Sequence, residues 1–136
     1  MKTLLLASLL LIPGLLAAEP QRPPRNDSPE VVAQLNKDAA ALELQIKVSP
    51  NADLYMKLGF TYARLHQADN ALRAFETAVS LDPSKADAYY MLGLIYEKKG
   101  LKDQALTAWK TCLEKTAEPQ MRTTAIRHIH HLTADK

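Results

Sequence analysis

Tyr55-Met56-Lys57-Leu58-Gly59-Phe60-Thr61-Tyr62 and Tyr89-Tyr90-Met91-Leu92-Gly93-Leu94-Ile95-Tyr96 are two versions of one line. Their glycines stand 34 residues apart, and so do Tyr62 and Tyr96. A second matched line follows each: Ala71-x-x-x-Phe75-x-x-Ala78, closed by Pro83, and Ala105-x-x-x-Trp109-x-x-Cys112. Ala71 to Ala105 and Phe75 to Trp109 repeat the same interval. A fixed period with type-matched residues marks a repeat architecture.

The residue types explain the period. Tyr55, Leu58 and Tyr62 are three or four apart, so they share one helical face. Ala71, Phe75 and Ala78 do the same on a second helix. Gly59 falls mid-helix, where glycine costs about 1 kcal/mol relative to alanine. That cost is tolerated where a neighbouring backbone must come close. Phe75 and Trp109 are the large side chains that fill the space between helices. Asp82-Pro83 ends the second helix, because proline disfavours helical geometry in the residue before it.

Both rows resemble the tetratricopeptide repeat, a helix-turn-helix unit of this length. The resemblance implies an all-α fold, a short right-handed α-solenoid that works by binding rather than by chemistry. The expected repeats span about 52–85 and 86–119, with helices at about 52–65, 69–82, 86–99 and 102–116. Gly100 allows the tight turn inside the second unit. His66 stands there in the first, which suggests a slightly different turn. In the second unit Cys112 replaces the small alanine, and Pro119 comes two residues after the usual proline position.

Two further helices complete the array. Ser28-Pro29-Glu30 is a helix start: a capping serine, proline in the first turn and an acid near the positive helix end. Val31, Leu35, Ala39, Leu42 and Ile46 form its apolar stripe to about Lys47. Pro50 is placed roughly as Pro83 is, so this helix stands in for a missing earlier repeat. Residues 119–133 read as a last helix with Met121, Ala125, Ile129 and Leu132 on one stripe. Terminal helices of this kind cover the end faces of a solenoid. The helical domain is thus expected over residues 29–136.

The N-terminus carries a different signal. Lys2, the apolar run Leu4–Ile12, the break at Pro13-Gly14 and the small residues Ala17-Ala18 form the pattern of a secretory signal peptide, residues 1–18. The run is shorter than the roughly 20 residues of a spanning helix, which favours cleavage near Ala18 over a retained anchor. Export to a periplasmic or extracellular space follows as an expectation. Residues 19–28, with Pro20, Pro23 and Pro24, read as an extended linker.

The totals exclude several classes. The chain has 136 residues, 47% hydrophobic and 24% charged, with a formal net charge of +2. That charge is too small, and too dispersed, for nucleic-acid binding. The single cysteine, Cys112, rules out an intrachain disulfide and is expected as a small buried hydrophobe. No HExxH, GxGxxG or P-loop spacing occurs, so no catalytic residue is assigned and no cofactor is implied. His128 and His131 share a face of the last helix, but no nearby carboxylate or cysteine in sequence completes a metal site.

The resemblance places the binding surface on the inner, concave face of the first helices. Asp53, Met56, Phe60, Ala63 and Arg64 map there in unit one; Asp87, Tyr90, Leu94, Glu97 and Lys98 map there in unit two. The residues expected to meet a protein or peptide partner are Met56, Phe60, Arg64, Tyr90, Leu94 and Lys98. The lysine–asparagine clamp that holds a peptide carboxylate in the best-known variant is absent, since Met56, Phe60, Tyr90 and Leu94 occupy its positions. The alternatives are a groove covered by the protein's own helices or by a second copy, a structural subunit or self-associating component of a cell-envelope assembly, and a metal-binding protein using His128 and His131.

Overall fold

A computed structural model describes residues 28–134. The signal peptide expected at residues 1–18 and all of the linker but Ser28 lie outside the described residues. Six helices run in order: α1 (Pro29–Val48), α2 (Ala52–Arg64), α3 (Ala68–Leu81), α4 (Ala86–Lys98), α5 (Lys102–Lys115) and α6 (Pro119–Ala134). Each packs mainly on the next, and the closest pairings are α2 with α3 and α4 with α5. The fold is an all-α solenoid of two helical hairpins with a helix at either end. None of these helices is long and apolar enough to cross a membrane.

Local chemistry sets the ends. The Ser28 hydroxyl accepts from the Val31 amide at 3.3 Å, with Pro29 in the first turn. The Asn51 side chain accepts from Leu54 N at 3.0 Å and caps α2. Each satisfies an amide that has no partner inside its helix. At the start of α6 the Glu118 carboxylate takes the amides of Gln120 and Met121, at 3.0 and 2.5 Å. Arg122 reaches back to the Leu113 and Thr116 carbonyls, at 2.9 and 3.2 Å. One side chain therefore closes the end of α5 and anchors α6 to it.

The turns inside the two units are alike, which corrects the expectation for His66. His66 has φ of 57° and Gly100 has φ of 71°. In both turns the next amide bonds back five residues, Gln67 to Tyr62 and Leu101 to Tyr96, each at 2.9 Å. These are the same left-handed helix ending. Each turn joins the two closely packed helices of one hairpin, so histidine is held in a backbone region that glycine enters freely.

The core follows the repeat. Ala71, Phe75, Ala78, Ala105, Trp109 and Cys112 are all fully buried. A Cβ on Gly59 would stand 2.7 Å from Phe75 Cε1, and one on Gly93 would stand 2.6 Å from Trp109 Cε2. Each helix-interior glycine thus exists to admit the aromatic ring of its own hairpin. α1 enters the stack as the second helix of a preceding unit would. Tyr62 donates to Glu43 of α1, and Tyr96 donates to Glu76 of α3 at 2.6 Å. Both phenols are pushed up to about 12: Tyr62 mainly by its bond to Glu43, Tyr96 mainly by burial.

Candidate functional site: the concave face

The six side chains expected on the concave face do not share one environment. Met56 is 8% exposed and belongs to the core cluster with Phe75, Leu92 and Ile95. This corrects its assignment: α4 closes over it, so it supports the face rather than lining it. Phe60, one turn on, is 41% exposed and sets its edge on Phe75, with centroids 5.2 Å apart at 79°. Arg64 follows on the same side and is exposed. In unit one the structure therefore brings together an aromatic face and a cation, with the half-buried Ala63 between them.

Unit two is different because α6 lies over it. Tyr90 meets Trp109 edge-on at 5.1 Å and 86°. Tyr90 and Leu94 are both half-buried against the cluster that holds Ala125 and Leu132 of α6. Lys98 remains exposed. The alternative of a groove covered by the protein's own helices therefore describes unit two, and an open face describes unit one.

A three-residue contact holds α6 in place. The His128 ring stacks on Trp109, with centroids 4.3 Å apart and planes 16° from parallel. His128 Nδ1 lies 2.9 Å from Glu97 Oε2. The Trp109 indole donates to Glu97 Oε1 at 3.2 Å. Sequence reasoning missed this cluster. Glu97 is 12 residues from Trp109 and 31 from His128, so only the fold shows the carboxylate beside the histidine. With His128 engaged this way, it is a packing residue between helices. Among the described residues no three His, Cys, Asp or Glu side chains are grouped to hold a metal ion. Cys112 is fully buried, and burial pushes its thiol up to about 11.

Comparison with known proteins agrees with this geometry. One family profile, described as TPR repeat, matches residues 67–100, and a second, tetratricopeptide repeat, matches residues 87–115. The first match runs from α3 to the end of α4, one helix out of step with the hairpins, which is expected of a continuous solenoid. Among solved structures, the crystal structure of MamA superposes with a TM-score of 0.67 at 21% identity, covering 85% of this chain and 66% of that one. At that identity the likeness speaks for the fold. No curated protein matches the chain. Residues 67–115 thus carry tetratricopeptide repeats, and repeats of this class are in general scaffolds for protein–protein interaction.

Proposed function

We propose that the protein is an exported, non-catalytic adaptor that holds a protein or peptide partner on the concave face of unit one. The observation that carries the reading is Phe60, a large aromatic left 41% exposed on that face while its counterpart in unit two, Leu94, is packed under α6. Aromatic anchors in a face that a partner can desolvate carry most of an interface's energy. Arg64 beside it adds an exposed cation, suited to a segment with an apolar residue next to an acidic one. Export rests on the N-terminal pattern of residues 1–18.

Site-specific photo-crosslinking in the native cell tests the binding surface. A photoreactive phenylalanine at position 60 is expected to give a discrete adduct to another protein, and one at position 126, on the outer side of α6, is not. Adducts only at position 126, or only to a second copy of the chain, would replace this reading with an end-face or self-associating one. Export is tested separately by the mass of the cell-derived protein, expected to begin near Glu19.

A further inference from the structure

A groove of about 380 Å³ opens between α3, α4 and α5, away from the concave face. Its floor is apolar, from Val79, Tyr89, Leu92 and Ala108, and two carboxylates, Glu76 and Asp103, stand at its rim. Among the described residues neither carboxylate forms an ion pair. Glu76 only accepts from Tyr96.

A similar groove exists one unit earlier, and there one cation, Arg73, is built in and donates to Asn70. Glu43, Tyr55, Leu58, Tyr62 and Ala74 line it, and so does Arg73. The Arg73 charge is near enough to Tyr62 to oppose the rise of its phenol. Outside the groove lining, Asp69, the counterpart of Asp103, is paired with Lys99 at 2.5 Å. Adding 34 to Arg73 gives Thr107, and adding 34 to Lys99 gives Thr133. Unit two thus keeps both acids and the apolar floor and has lost both bases. Thr107 in place of arginine also leaves room in the groove.

We infer that this groove is a second binding site, for a basic residue flanked by apolar ones on a partner protein, with arginine filling the place that Arg73 fills in unit one. An arginine suits it because its aliphatic stem lies on the apolar floor while the guanidinium reaches a carboxylate. The site is separate from the concave face and does not depend on that reading.

The probe is a fluorescein-labelled five-residue peptide with a central arginine between leucines, set against the same peptide with neutral citrulline. Anisotropy at low salt should show the citrulline peptide binding at least ~5-fold more weakly, the scale of partly exposed ion pairs. Amide NMR signals of Gln104, Thr107 and Thr111 should move on adding the arginine peptide. Glu76→Gln with Asp103→Asn should abolish the preference for arginine. Thr107→Arg, which restores the cation of unit one, should block binding while the helical circular dichroism is kept. Equal binding of the two peptides, signal changes confined to Phe60 and Arg64, or no saturable binding at all would overturn the inference. Movement of the same signals on raising protein concentration alone would overturn it too, since the occupant would then be a second copy.

Discussion

The indole of Trp109 lies so close to Gly93 that a methyl group on Gly93 would fall 2.6 Å from Cε2 and 2.8 Å from Cδ2. The ring cannot swing away. Glu97 holds its N–H, Tyr90 meets its face or edge at 86°, and His128 stacks on it. Gly93→Ala should therefore destabilise the protein by about 1–3 kcal/mol through overpacking, despite alanine's better helix propensity. Urea unfolding measures this. A variant as stable as the wild type would mean that the indole has freedom this packing denies it.

His66→Gly should act in the opposite direction. At φ of 57° the histidine bears left-handed strain of about 1–2 kcal/mol, partly offset by glycine's greater chain entropy. A net gain of about 0.5–1 kcal/mol is expected, seen as a higher thermal midpoint. A lower midpoint would show that the imidazole makes contacts worth more than the strain.

Much of this fold was legible because it rests on local spacing. The 34-residue period placed the four repeat helices, and capping residues with apolar stripes placed α1 and α6, with ends shifted by no more than a residue or so, since Ser28, Gly100 and the prolines announce them. Gly59 and Gly93 were readable as close-approach positions, but what approaches each is an aromatic ring of its own hairpin and not the neighbouring backbone expected. His66 was misread because side-chain identity was allowed to decide a turn that packing decides. The concave face was only partly legible. Met56 and Phe60 are both apolar and four residues apart, and nothing local tells which one α4 will cover. The contacts of His128 with Trp109 and Glu97 join three helices, and no spacing rule reaches across them.

Cys112 should be inert while the protein is folded. Its thiol is fully buried and raised to about 11 from an ordinary 9.0. Unfolding therefore releases a proton from about pH 9 upward, and stability should fall as pH rises from there towards 11; below pH 9 the thiol contributes no pH dependence. At pH 8 a disulfide reagent such as Ellman's should react no faster than the protein opens. Rapid stoichiometric reaction with the native protein would contradict the burial.

Ending the chain after Ala117 should uncover Trp109, which is fully buried in the intact protein and is its only tryptophan. The loss of Ala125, Ile129 and Leu132 leaves the end face of unit two in water. A red shift in tryptophan emission together with aggregation or lost helix is expected. Unchanged emission from a monomeric truncated protein would show that α6 does not cap the stack.

Phe60→Ser and Tyr90→Ser, made separately, test the central claim most directly, by titration of the crosslinked partner with circular dichroism measured alongside. Tyr90 packs on Trp109 under α6, so its loss should cost stability. Phe60 is 41% exposed but sets its edge on Phe75, so Phe60→Ser should keep the helical signal and lower the thermal midpoint only modestly, by the loss of one aromatic contact of about 0.5–1.5 kcal/mol. Partner affinity should nevertheless fall at least ~10-fold, the loss of one aromatic anchor. A folded Phe60→Ser protein that binds its partner as tightly as the wild type would contradict the account.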